Sequence, residues 1–270
     1  MLRDITIGQY FPGESRIHRL DPRTKILMTV LFIVALFLPK NPAGLAAGLL
    51  FALAGYLLSG VPVRFAIKSL KPVVPIIIFT AVLNVLFTSG DPILEWGFLT
   101  VTRQGLVMAG MMIVRILCLI AGSSLLTYTT SPIALTDAIE NLLGPLKVLR
   151  FPVHELAMMM TIALRFIPTL IEETDKIMSA QKARGADLDT GSLIQRAKAL
   201  IPVLVPLFVS SFRRADELAL AMECRCYHGG EGRTRMKQLH YAARDGAAFA
   251  AAGALILLVV CFNRIFPALY

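Results

Sequence analysis

Charge is scarce in this sequence. Only 17% of its 270 residues are Asp, Glu, Lys or Arg, while 56% are hydrophobic. A soluble domain carries more charge on its surface, so the balance points to a membrane protein. Cysteines are few: Cys118, Cys224, Cys226 and Cys261. Scattered in this way they make no disulfide framework, and Cys118 and Cys261, inside apolar runs, read as small hydrophobes. No G-x-x-x-x-G-K-[ST] stretch occurs, so the chain has no phosphate cradle of the kind an ATPase needs. Gly229-Gly230-Glu231-Gly232-Arg233 is glycine-rich, but it lacks the lysine and a preceding strand and reads as a loop. No stacking-aromatic or zinc-finger pattern accompanies the positive charge, which argues against a nucleic-acid partner. A cleaved secretory signal is also missing, because a mixed-charge segment precedes the first apolar run.

What is present is a series of apolar blocks: Ile26–Leu38, Ala43–Leu58, Pro72–Phe87, Leu106–Thr127 and Ala247–Phe262. The first is at the low edge of the length a span needs, and the first pair also reads as a shallow hairpin. The expectation is an all-α, polytopic membrane protein with about five transmembrane helices. The net charge of +9 then belongs to cytoplasmic loops rich in Lys and Arg. Basic and nearly neutral segments alternate. Arg3, Arg16, Arg19, Arg23 and Lys25 precede the first block, and Lys40 alone follows it. Arg64, Lys68 and Lys71 come next, then Arg103 beside Asp91 and Glu95. The densest stretch runs from Lys147 to Arg244. This order predicts a cytoplasmic N-terminus, an external C-terminus and one large cytoplasmic region. The expected division is 1–130 for the N-terminal segment and four spans, 131–244 for the cytoplasmic region, and 245–270 for the last span. Arg115 lies within the fourth block. A charge there is a functional candidate; the plainer reading is that it faces the bundle and binds backbone carbonyls.

The cytoplasmic region is too apolar for a loop. Leu156–Ile171 and Ala199–Phe212 are interrupted by prolines, and neither is cleanly long enough to span. Met158, Met159, Ile162, Phe166, Leu170 and Ile177 recur at helical spacing, with Glu172, Glu173, Asp175 and Lys176 clustered in the second half. Leu204, Phe208, Ser211, Phe212, Ala215, Leu218 and Met222 do the same, opposite Arg213, Arg214, Asp216 and Glu217. Both read as long amphipathic helices, with a shorter one at Pro132–Leu149. Such helices lie at a membrane interface or against a partner. The carboxylates suggest acid–base chemistry less than a solvated or partner-facing side.

Both long segments end alike. The first closes on Ala183-Arg184-Gly185 and the second on Cys224-Arg225-Cys226. A glycine after a helix with an arginine in its last turn is ordinary capping. In the second copy, however, Cys226 stands where the glycine would be, and only the arginine is shared. A guanidinium at a helix tip suits an acidic groove on a partner. Cys224, Cys226 and His228 also form C-x-C-x-H, but a structural zinc site needs a fourth ligand and wider cysteine spacing.

At these residues the chain resembles the transmembrane T components of energy-coupling factor transporters. His18-Arg19-Leu20-Asp21-Pro22-Arg23-Thr24-Lys25 looks like that family's approach to its first span, and Ala163-Leu164-Arg165-Phe166-Ile167-Pro168 looks like its first long coupling helix. Ala183-Arg184-Gly185 matches the family's Ala-Arg-Gly signature in full, and Cys224-Arg225-Cys226 occupies the second such site, keeping the arginine. The likeness runs from about Gly8 to Arg235. It implies a multi-pass protein of the bacterial inner membrane that couples ATP-driven motion to vitamin or metal-ion uptake. The implied partners are two ABC ATPases, bound through Ala183, Arg184, Gly185, Cys224, Arg225 and Cys226, and a membrane-embedded, substrate-binding S component. It implies no catalytic residue, metal site or cofactor in this chain. The rival readings are a membrane enzyme, which would need more polar groups at membrane depth than Arg115, and the permease of an ordinary ABC importer, which itself forms the substrate path.

Overall fold

A computed structural model describes residues 10–89, 91–96, 99–149, 151–186, 192–230 and 238–265. The basic residues Arg3, Arg150, Arg233, Arg235 and Lys237, and the ends of the resemblance at Gly8 and Arg235, lie outside the described residues. The helices are α1 (Pro22–Phe37), α2 (Pro42–Ser59), α3 (Val63–Leu70), α4 (Val74–Phe87), α5 (Arg103–Thr129), α6 (Pro132–Leu142), α7 (Val153–Ala183), α8 (Leu193–Glu223) and α9 (Ala243–Ile265). The all-helical expectation holds, with one addition. Residues read as a loop form an antiparallel pair, β1 (Pro92–Trp96) and β2 (Leu99–Thr102), with Glu95 opposite Thr100.

The chain divides into two compact units. One comprises residues 8–138 with 238–270, and holds α1–α5 and α9. Its core is a bundle in which Phe32, Ala35 and Leu36 of α1 meet Leu45 and Ala52 of α2, Met111 and Cys118 of α5, and Leu255 and Val259 of α9. Small residues allow this close packing. A Cβ at Gly122 would lie 2.5 Å from the Phe32 ring. The other unit, residues 1–7 with 139–237, is built on α7 and α8, which pack on each other.

Five helical segments are long and apolar enough to cross a membrane, but they are not the expected five. They are Pro42–Ser59, Arg64–Phe87, Arg103–Thr129, Val153–Ala183 and Ala243–Ile265. The third expected block is longer because α3, a 3-10 turn at Lys71–Val73 and α4 run on without a break. α7 qualifies because Pro168 sits inside a continuous 31-residue helix and does not end it. α1 does not qualify. At 16 residues it is roughly 24 Å long, short of a hydrocarbon core of about 30 Å.

The end of α1 shows how a short helix is accommodated. Helix carbonyls left open at membrane depth are costly. Arg115 Nη2 donates to Pro39 O at 3.0 Å, and Asn263 Nδ2 donates to Leu38 O at 2.8 Å. Asn41, buried in the α1–α2 turn, caps α2 by accepting the Gly44 N–H and donates to Phe262 O at 2.8 Å. Arg115 lies 14 residues before Thr129 on α5, roughly 21 Å along the helix, which matches the reach of α1. The plainer reading of Arg115 is therefore the observed one: its positive charge sits against the negative end of α1.

Candidate functional site

α8 begins with a full capping box, in which Ser192 and Gln195 each bond the other's backbone N–H. α7 and α8 are then pinned side by side in their charged halves. Glu173 of α7 accepts from Arg214 Nη2 at 2.8 Å and from the Ser210 hydroxyl, both on α8. Gln181 Nε2 donates to Pro202 O at 3.2 Å. The carboxylate considered for acid–base work is thus half-buried in a link between helices. Along and before this link, α8 also exposes Leu200, Ile201, Leu204, Val205, Phe208 and Phe212. An exposed apolar surface of this extent marks an interaction face.

The two helix tips have the same backbone geometry. At the end of α7, the Ala186 N–H donates to Gln181 O at 3.0 Å and the Gly185 N–H to Lys182 O at 3.0 Å. Gly185 has φ +86°. At the end of α8, the Tyr227 N–H donates to Met222 O at 3.1 Å and the Cys226 N–H to Glu223 O at 2.9 Å. Cys226 has φ +56° and is the one non-glycine residue with positive φ among the described residues. Each is a Schellman cap, with the left-handed residue one position after the arginine. Cysteine thus takes the glycine's backbone role after all, at an energetic cost. The caps leave Arg184 and Arg225 in equivalent places. Both are exposed, and no hydrogen bond or ion pair engages either side chain among the described residues.

The remaining sequence candidates sort clearly. His228 Nδ1 lies 2.8 Å from Cys226 O, within the second tip. Among the described residues, no group of three His, Cys, Asp or Glu side chains could hold a metal ion. The His18–Lys25 motif is structural in the first unit. Asp21 caps α1 through the Arg23 N–H and pairs with the Arg23 guanidinium at 2.9 Å. Arg23 also donates to Leu239 O at 3.0 Å and stacks over the Tyr241 ring. Lys25 Nζ donates to His18 O and Thr129 O. Asp245 closes the knot by accepting the Asp21 N–H at 2.9 Å and the Ala242 N–H at 2.8 Å. Sequence reasoning missed Asp245. The signal available was a lone acid in the first turn of an apolar helix.

Comparisons with known proteins identify the family. The family model described as cobalt transport protein, CbiQ, matches residues 13–236. The chain belongs to the CbiQ family. It is 57% identical over 265 residues to the energy-coupling factor transporter transmembrane protein EcfT of Clostridium kluyveri, covering 97% of each chain. The proteins of the same name from Thermosediminibacter oceani and Ruminiclostridium cellulolyticum are 58% and 57% identical. These matches cover 94% and 91% of this chain, and 96% and 92% of those proteins. The CbiQ-family chain is a multi-pass bacterial membrane protein and the transmembrane component of an energy-coupling factor transporter. The permease of an ordinary ABC importer is the less supported of the two importer readings.

Proposed function

We propose that this subunit is non-catalytic and couples two ABC ATPases to a substrate-binding S component. Segment 131–244 is its cytoplasmic transmission, between the spans of 1–130 and 245–270. α7 is long enough to cross, but Glu172, Glu173, Asp175 and Lys176 in its second half favour the cytoplasm, and the short α1 counts as a span with its end closed by Arg115 and Asn263. The observation that carries the reading is the pair of equivalent helix tips, each presenting an exposed guanidinium with no described partner. A guanidinium makes charge-assisted, often bidentate bonds to carboxylates or carbonyls, so each tip suits an acidic groove on one ATPase. The Glu173–Arg214 pair makes α7 and α8 move together, so a push at either tip reaches both helices. The apolar face of α8 then offers a surface for a membrane-embedded partner. Among the charged groups of the spans, Arg115 is committed to Pro39 O, which leaves little for substrate recognition and supports substrate binding on another chain.

The test is photo-crosslinking. A photoreactive residue replaces Ala183 or Cys224, both exposed beside the arginines, in the assembled transporter. Crosslinks from both positions to ATPase subunits support the assignment. Crosslinks from both to lipid or to the third membrane protein contradict it.

A further inference from the structure

The first unit contains a groove that coupling does not use. It lies between α1, α2, α5 and α9 and has a volume of about 720 Å³, within the range of sites that hold small molecules. Its walls are apolar and built from Met28, Phe32, Phe51, Leu125, Leu126 and Ala251. Its charged lining consists of Arg16, Arg19, Arg244 and the buried Lys25, with Glu14 as the single acid among the lining residues. Glu14 is paired with Arg19 at 2.9 Å, and Lys25 is held by two backbone carbonyls. Arg16 and Arg244 are exposed, and among the described residues no hydrogen bond or ion pair engages the Arg16 side chain.

We infer that this groove seats one anionic phospholipid of the cytoplasmic leaflet, with its phosphate among Arg16, Arg19 and Arg244 and an acyl chain along Phe32, Phe51 and Leu125. Two features select this occupant. Cationic groups at one end of an apolar slot match an anionic amphiphile, whereas a free anion has no use for the slot and a zwitterionic lipid brings an ammonium that the arginines repel. The mouth also lies where α1 and α9 begin and α2 and α5 end, the side that the basic segments assign to the cytoplasm. Anionic lipids are concentrated in that leaflet, and basic pockets between helices on that side take their headgroups. The wall residues keep the slot open by being small on the α9 side, where Ala247, Ala248 and Ala251 line it.

The experiment uses the assembled transporter in mild detergent with equal amounts of phosphatidylglycerol and phosphatidylcholine. Native mass spectrometry counts the retained lipid, and a photoactivatable phosphatidylglycerol on the wild-type complex maps its contacts. The expected result is one phosphatidylglycerol per complex, with crosslinks to Met28, Phe51 or Leu125. Arg16→Gln with Arg19→Gln and Arg244→Gln should lower its occupancy at least tenfold, since each basic residue near an anionic surface contributes on the order of 1 kcal/mol. Ala251→Phe, which fills the slot and leaves the charge unchanged, should do the same. Equal retention of the two lipids overturns the inference, as does displacement of phosphatidylglycerol by excess inorganic phosphate. So do crosslinks that lie wholly outside the groove, or a photoreactive residue at position 251 that captures a partner subunit instead of lipid.

Discussion

Cys226 is the sharpest point at which to perturb the tips. With φ +56° it occupies the left-handed region, which costs an L-residue roughly 1–2 kcal/mol. Cys226→Gly removes that strain but adds freedom to the open chain, an offset of about 0.5–1 kcal/mol. The net gain is about 0.5–1 kcal/mol, and it belongs to the last turn of α8. Gly185→Ala runs the other way. A Cβ there meets nothing within 4 Å, so the penalty is the same backbone strain less the same open-chain offset, about 0.5–1 kcal/mol. Amide hydrogen exchange reads local opening of each tip directly. With about 1.4 kcal/mol per tenfold change, protection around position 226 should rise about two- to fivefold in the first variant. Protection around positions 185 and 186 should fall about two- to fivefold in the second. Unchanged or falling protection in Cys226→Gly would refute the claim that the two tips are the same cap. Transport should survive Cys224→Ala with Cys226→Gly, because neither sulfur has a role in the account.

Three further outcomes follow from the contacts described above. Arg115→Leu strips the donor from Pro39 O and should destabilise the subunit by about 1–3 kcal/mol, read as a lower thermal midpoint. Uptake per folded complex should be retained, and selective loss of uptake with normal stability would instead give Arg115 a role in transport. Glu173→Gln should loosen α7 from α8 and reduce uptake, and Glu173→Arg with Arg214→Glu should restore part of it; no rescue would mean that the pair does not transmit force. Cytoplasmic placement of α8 predicts that, in a background lacking native cysteines, an impermeant thiol reagent on intact cells labels Ser89→Cys and spares Lys198→Cys, both positions being exposed. Labelling of position 198 alone would overturn the topology.

Much of this was legible from local pattern. The arginine tips, the amphipathic character of α7 and α8 and the apolar blocks are features of neighbouring residues, so the sequence displays them. What stayed hidden depends on distant partners. The acceptor of Arg115 is 76 residues away and the donor to Asp245, the Asp21 N–H, is 224 away, and no spacing rule connects them. Helix length by itself sorts the candidate spans differently from the apolar blocks, because α1 is short and α7 runs on through Pro168, as α8 does through Pro202 and Pro206. Cys226 was legible as a costly stand-in for glycine, but that it takes the left-handed conformation shows only in the backbone. The β1–β2 pair escaped notice because it is short and lies in a segment read for its charge alone.

The central claim is that Arg184 and Arg225 carry ATPase motion into the membrane, and one measurement addresses it most directly. ATPase copurification and substrate uptake are compared at matched membrane levels for the wild type, Arg184→Glu, Arg225→Glu and the double replacement. Truncating one partner of a desolvated charged contact costs about 2–5 kcal/mol, and reversing its charge costs no less. Each single variant should therefore weaken ATPase retention at least thirtyfold and abolish uptake. The double variant should release both ATPases while the subunit inserts normally, and Lys at either position should restore part of the function. A double variant that keeps its ATPases and transports at the wild-type rate would contradict the account.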